Sequence, residues 1–434
     1  MRKTIFLALG LTIASHALAC DAHQRVPGNA LLSTYQLGPK PLPKWVMDLP
    51  EELRHVAIQT QPPTEEAAPV EDPSLKVDDP ALQKDIDADI AWGKKIIEEA
   101  AKELKYSKST QFTDRLNRIG AEMAKIANEN RVEASWGDRR FSKFPYQFYV
   151  LEGDDVNAFS IPGGYLFFYE GFMKNVESDN ELAGVIAHEI AHASLRHVAT
   201  LQREQSRTTA ITLPLILIAI LAGGEAGAGI AQGTSLLSTA IGSGWSVKAE
   251  KAADYAGFQY LAKSKYSPIG LLTFMERLAY EERIRGNVDW GIFRSHPPSR
   301  ERSTTLIGLL RGAGIPIHRS IGAASMRAVP MIEENGTTTV RLMSRNIVTF
   351  AGEGNELRAS DAAEAVTKFV DTVPTVFDVA VVDGGKIVGS GKTLFTLTED
   401  DAKNAKQELP IFVDKVARTL KAAIFELQHR ITDQ

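Results

Sequence analysis

One cysteine, Cys20, stands in 434 residues, so no intrachain disulfide can hold this fold together. A buried apolar core must do that work, and a domain of a few hundred residues is large enough to build one. Charge of one sign is missing as well. Lysine and arginine number 49 against 54 aspartates and glutamates, a balance with no basic excess for a nucleic-acid backbone, so no nucleic-acid partner is expected. Long apolar runs are also absent. A permanent membrane helix needs about 20 consecutive apolar residues. Both candidates, Ile5–Ala14 and the Pro214-interrupted run Ile211–Leu221, are shorter than that. No helical repeat of the 34-residue type appears near the carboxyl end.

The first of those runs reads as a secretion signal covering residues 1–20. Arg2 and Lys3 precede it, and Ala17-Leu18-Ala19 is a small-x-small cleavage site. This predicts a periplasmic protein. Ala-Leu-Ala-Cys is a weak lipobox, and two outcomes stay open: cleavage before Cys20, or acylation of Cys20 and tethering to a membrane. Residues 21–80 are rich in proline and acidic side chains and read as a linker. Residues 208–245 pass from apolar to Gly- and Ala-rich sequence. They read as a helical hairpin against the active-site cleft or at a membrane surface, with a buried core helix as the other reading.

What is present centres on His188-Glu189-Ile190-Ala191-His192. Two histidines four apart lie on one face of a helix and can reach one metal ion, while Glu189 can face the same cleft without being a ligand. Ser178 and Glu181 have capping-box spacing, and Leu182, Val185, Ile186 and Ile190 supply an apolar face. A catalytic zinc site normally has three protein ligands and one open position. Downstream, Glu250 and Asp254 lie one turn apart. Glu250 completes a His-His-Glu set, and Asp254 can accept the other ring N–H of a ligand histidine, His188 by preference. His197, nine positions after His188, falls about 180° away on an unbroken helix and is not expected to be a ligand.

These motifs resemble the HtpX/BepA-like gluzincin metallopeptidases, relatives of the CAAX prenyl endopeptidases. Three further stretches carry the resemblance: Asn157-Ala158-Phe159 with Pro162-Gly163-Gly164, the Glu-x-x-x-Asp of Glu250 and Asp254, and Ser295-His296-Pro297-Pro298 followed by Arg302. It covers about residues 80–305. It implies one Zn2+ per chain held by His188, His192 and Glu250, with Glu189 as general base toward a zinc-held water. His296 is implied to sit over the metal, either stabilising the oxyanion or filling the fourth position. Asn157, Phe159, Gly163 and Arg302 are implied to contact substrate or orient loops.

The expected fold is α+β: a mainly helical zincin-type domain at 81–320 with a small sheet beside the metal-binding helix, then a small α/β accessory domain at 321–434. Leu82–Leu104 and Thr113–Asn130 have helical periodicity, and Tyr146–Leu151 and Tyr165–Tyr169 read as strands. Near the end, Thr375–Val382 and Lys386–Thr398 read as strands joined at Asp383-Gly384-Gly385, and Asp400–Gln428 as one or two helices. Gly389-Ser390-Gly391-Lys392-Thr393 is not read as a phosphate loop, because position 386 is lysine rather than glycine. The resemblance implies a zinc endopeptidase acting on misfolded or misassembled cell-envelope proteins. Two alternatives stay open: a chaperone or scaffold for outer-membrane protein assembly with an inhibited or structural zinc site, and a membrane-embedded peptidase using 208–245.

Overall fold

Asp79 and Pro80 start the first long helix, α1 (Pro80–Ala100). The Asp79 carboxylate accepts from the Ala81 and Leu82 amides at 2.9 and 3.2 Å, and Pro80 takes a position where a missing N–H costs nothing. Ser109 caps α2 (Thr110–Glu129) in the same way. The structure, a computed structural model, describes residues 72–101, 104–204, 247–285, 291–292, 296, 300–382 and 384–431. Cys20, the linker up to residue 71 and the 208–245 segment lie outside the described residues. Among the described residues no helix is long and apolar enough to cross a membrane.

Three strands follow: β1 (Gln147–Leu151), β2 (Ala158–Ile161) and β3 (Tyr165–Tyr169). Their order is β1-β3-β2, with β1 parallel and β2 antiparallel to the central strand. All five residues of β3 are buried, as expected of a strand covered on both faces. Gly163 and Gly164, with φ of +90° and +84°, make the β2–β3 turn. Helix α1 lies directly on that turn. A Cβ on Gly163 would come within 2.6 Å of the Ile90 Cα, and one on Gly93 within 2.0 Å of the Pro162 carbonyl.

The short α3 (Glu170–Asn175) leads into α4 (Asp179–Ser194), which is buried from Glu181 to Ser194. Around it pack α2, β2, α6 (Val247–Leu261) and α7 (Ile269–Arg285), while α5 (His197–Glu204) follows after a break. Small residues permit this crowding. Gly184 lets the Leu271 backbone approach, and Gly257 lies against the His188 backbone. The capping box expected at the start of α4 is only half made. Ser178 Oγ accepts from the Glu181 amide at 3.1 Å, but Glu181 is buried and turns to the Glu177 amide, Thr273 and Arg277 instead. Helix α8 (Arg300–Gly312) closes this part.

Beyond α9 (Arg319–Gly322) a second apolar cluster runs from Ala323 to Ile431. It lies among two antiparallel meanders, β4 (Ala328–Ile332), β5 (Thr338–Leu342) and β6 (Arg345–Phe350), then β7 (Val379–Val382), β8 (Lys386–Gly389) and β9 (Lys392–Thr396). Helix α10 (Asn355–Val370) follows the first meander, and α11 (Glu399–Asn404) and α12 (Leu409–Arg430) follow the second. The single strand expected over Lys386–Thr398 is thus two strands. Ser390 and Gly391, both at positive φ, form a two-residue hairpin loop between the paired Gly389 and Lys392. The Gly-Ser-Gly-Lys-Thr stretch is therefore a hairpin. Among the described residues the fold is mainly helical α+β with three small sheets.

Candidate metal centre

Helix α4 places His188 and His192 one turn apart, with their Nε2 atoms 3.1 Å from each other. Glu250 reaches them from the first turn of α6. Its Oε2 lies 3.4 Å from His188 Nε2 and its Oε1 3.4 Å from His192 Nε2. His296 enters from outside these helices, its Nδ1 3.3 Å from His188 Nε2 and 3.2 Å from each Glu250 oxygen. One donor atom from each of the four residues lies within 4.8 Å of all the others, and all four are buried.

Glu189 sits at the edge of this cluster, 1% exposed, and neither carboxylate oxygen has a hydrogen-bond partner. Its Oε1 lies 3.3 Å from His296 Nε2. Buried polar atoms are normally satisfied, and an unsatisfied charge is costly. Ring nitrogens and carboxylate oxygens converging on one point beside an unpartnered carboxylate therefore fit a divalent cation better than they fit each other. Two imidazoles and one carboxylate are the donor types that suit zinc.

Behind the cluster, Asp254 Oδ1 lies 3.0 Å from His188 Nδ1, although the N–H direction falls short of good hydrogen-bond geometry. Arg302 grips the same carboxylate with two bonds of 2.8 Å, Nε to Oδ2 and Nη2 to Oδ1, and its Nη1 reaches Glu250 Oε2 at 2.9 Å. Burial raises the cost of charging Asp254, but Arg302 outweighs it and holds the carboxyl below its usual range. Burial likewise opposes charge on Glu250, yet His296, Arg302 and His192 together keep it well below the ordinary glutamate value. For His188 in the metal-free cluster, burial disfavours the imidazolium, while bonds to Asp254 and Glu250 prevail and lift its pKa to about 9. A cation must displace that proton.

The remaining sequence-derived residues sit differently. Arg302 is buried with its guanidinium engaged by Asp254 and Glu250, and it also lines the cavity beside His188 and Glu189. Phe159 points into a core cluster and stacks on Phe167 with centroids 5.4 Å apart. Gly163 packs on α1. Asn157 is buried beside Gly291, where a Cβ would meet the Asn157 amide nitrogen at 2.5 Å. The stretch leading to His296 is anchored there: Gly291 N donates to Asp155 Oδ1 at 2.9 Å and Ile292 N to the Val156 carbonyl at 3.2 Å. An apolar cavity beside His188 and Glu189 is lined by Val185, Leu271, Phe274, Met275, Leu278 and Ile292.

His197 stays outside the four-residue cluster, as expected, but not for the expected reason. Helix α4 ends at Ser194, Arg196 takes a left-handed φ of +51°, and α5 restarts at His197. The half-turn separation computed for an unbroken helix does not apply, and His197 Nδ1 comes 3.0 Å from His192 Nδ1. No glycine, asparagine or proline at 194–196 announced the break.

Comparison with known proteins adds relatives to this geometry. Residues 113–309 match Peptidase family M48. The chain is 32% identical over 165 residues to the beta-barrel assembly-enhancing protease of Escherichia coli K12, which is 37% of this chain and 33% of that protein. It is 32% identical over 172 residues to metalloprotease LoiP of the same organism, covering 39% of this chain and 65% of LoiP. With metalloprotease YcaL it shares 29% identity over 195 residues, 44% of this chain and 70% of YcaL. The chain thus spans about a third of the length of the beta-barrel assembly-enhancing proteases it matches.

Proposed function

We propose, on the match of residues 113–309 to Peptidase family M48, that this protein is a zinc-dependent endopeptidase acting on misfolded or misassembled envelope proteins. His188, His192 and Glu250 hold the ion, one per chain. When bound, Zn2+ supplies Lewis acidity toward the scissile carbonyl and makes water acidic enough to ionise near neutral pH. Glu189 takes the proton from the attacking water at its free carboxylate and delivers it to the leaving amine. Asp254, held by Arg302, keeps His188 in the tautomer that offers Nε2. The observation carrying this reading is the buried Glu189 carboxylate, without a hydrogen bond and 3.3 Å from His296 Nε2, beside four converging ligand groups.

His296 belongs to the resting state. Its Nδ1 stands at ligand distance from the same point as the other three donors, which favours a capped fourth position over an oxyanion contact. Capping keeps hydrolysis low until a substrate enters and accommodates the scaffold-like alternative within the same site. The apolar cavity at Val185, Phe274 and Leu278 suits an apolar side chain next to the cleaved bond, as an unfolded chain would offer. The name of the E. coli relative, a beta-barrel assembly-enhancing protease, supports envelope substrates, and a periplasmic location is part of the proposal. Residues 321–434 are an accessory domain in this proposal, and contact of 208–245 with a membrane surface is part of it.

The test is hydrolysis of a denatured outer-membrane protein by the purified chain. Cleavage should stop on treatment with a zinc chelator, return on adding Zn2+, and be lost in Glu189→Gln with bound zinc retained. Equal cleavage by wild type and Glu189→Gln would overturn the enzymatic reading.

A further inference from the structure

Two ligand histidines lie on α4, and the structure backs them with chemically different partners. His188 turns its second nitrogen toward the Asp254 carboxylate. His192 turns its second nitrogen toward another imidazole, that of His197, at 3.0 Å and with the ring planes 85° apart. We propose that His197 is a positioning residue for the metal centre, fixing the tautomer and ring orientation of His192. The proposal rests on the zinc reading above.

Proton counting at the contact leads there. To give its Nε2 lone pair to a cation, neutral His192 must carry its proton on Nδ1. That N–H can donate only to a lone pair, so His197 must present an unprotonated Nδ1 and keep its own proton on Nε2. One proton between two Nδ1 atoms 3.0 Å apart satisfies both of those nitrogens. The other neutral arrangements either turn the His192 lone pair away from the cluster or set two N–H groups against each other at the 3.0 Å contact.

The seat of His197 is built for this purpose. Arg196 adopts a left-handed conformation that is unfavourable for a non-glycine residue. Three carboxylates hold it there: Nε donates to Asp89 at 2.6 Å, and Nη1 to Asp138 at 2.9 Å and Asp85 at 3.3 Å. On the other side the Trp136 ring packs on His197 with centroids 5.0 Å apart. The following Gly137 has no room for a Cβ, which would meet His197 Cδ2 at 2.9 Å. His197 is fully buried, and its Nε2 has no hydrogen bond of good geometry, a Trp136 backbone group lying beside the ring. A side chain present only to fill space would not keep such an atom.

A neutral partner also suits the charge of the site. Glu189, Glu250 and Asp254 contribute three negative charges, which Arg302 and a divalent cation balance. A carboxylate at position 197 would leave the buried centre with an uncompensated charge, whereas an imidazole orients His192 without adding one.

The experiment uses the full chain stripped of metal and titrated with Zn2+ against a chromophoric chelator, alongside thermal unfolding of the metal-free protein. His197→Phe keeps a ring but removes the acceptor. It should bind Zn2+ about 10–100-fold more weakly, the usual effect of losing such a partner, with unfolding of the metal-free protein unchanged or later. His197→Asn returns an acceptor oxygen near the Nδ1 position and should recover most of the affinity. At saturating Zn2+, His197→Phe should lower kcat more than it changes KM. Zinc affinity of His197→Phe equal to wild type would overturn the proposal, as would equal weakness in both variants with matching losses of metal-free stability. A wild-type chain that binds no Zn2+ would instead overturn the metal reading itself.

Discussion

Arg302 and Asp254 form a fully buried two-bond pair, each contact 2.8 Å, and the same guanidinium reaches the carboxylate of Glu250 at 2.9 Å. One cation thus offsets two carboxylates, one of which holds the metal while the other backs His188. Replacing it exposes both to uncompensated burial. Arg302→Met should destabilise the metal-free protein by about 3–5 kcal/mol, the cost of breaking a buried pair from one side. Bound Zn2+ should return part of that loss by neutralising Glu250. Denaturant unfolding with and without Zn2+ checks both statements, and a variant as stable as wild type would show that Asp254 and Glu250 do not depend on Arg302.

Gly93 gives a prediction whose sign is opposite to the usual one. In an exposed helix, Gly→Ala gains about 0.5–1 kcal/mol. Here the added methyl would meet the Pro162 carbonyl at 2.0 Å and the Tyr165 ring at 2.7 Å, with backbone on one side. Gly93→Ala should therefore destabilise by about 1–3 kcal/mol, the range for overpacking. Thermal unfolding decides it. A stabilised variant would mean that α1 does not rest on the Pro162–Gly164 turn.

The metal cluster was legible because its chemistry is local. Histidines at i and i+4 need only a helix to converge, and Glu250 and Asp254 need only one more. The sheet was half legible: β1 and β3 show as aromatic and β-branched runs, but their direct parallel pairing, with β2 on the other side of β3, depends on contacts far apart in sequence. Residues 321–374 were read only as part of an α/β domain, with no element placed, although they hold a meander and helix α10; β4 exposes Val329, Met331 and Ile332 instead of alternating. Arg302 read as a substrate-contacting or loop-orienting residue, since nothing in sequence marks an arginine whose partners lie 48 and 52 positions back. His197 was misplaced because its position depends on Arg196, whose left-handed turn is imposed by Asp85, Asp89 and Asp138.

Asp401 should govern the acid stability of the second core. Its oxygens accept from the Ala351 amide at 2.7 Å, the Thr398 amide at 2.9 Å, and Arg358 at 2.8 and 2.9 Å, tying β6, α10 and α11 together. Burial disfavours the charged form, but these bonds prevail and depress its pKa. A depressed carboxyl stabilises the fold above its unfolded value, about 3.9, and that contribution disappears as pH falls through the lower folded value. Asp401→Asn should thus lose stability at pH 7 and show a flatter decline below pH of about 4. Parallel acid profiles for the two proteins would rule the group out.

His296 separates a resting cap from an oxyanion contact. If its Nδ1 fills the fourth position, as its 3.3 Å approach to His188 Nε2 and its 3.2 Å approach to Glu250 favour, then His296→Ala frees a site for water and substrate. Hydrolysis of a denatured protein should then rise, with zinc affinity reduced because one donor is gone. Were the same imidazole needed to stabilise the tetrahedral oxyanion, its loss would instead lower kcat by about 10²–10³-fold, as removal of one such donor does elsewhere. Gly291→Ala provides an independent check that leaves His296 in place. Its methyl would strike Asp155 Oδ2 at 2.4 Å and Asn157 at 2.5 Å, displacing the anchor of the stretch that carries His296. Under the capping reading it should raise activity in the same direction as His296→Ala, and combining the two should add little, because both act by uncovering one position. Under the oxyanion reading both lower it.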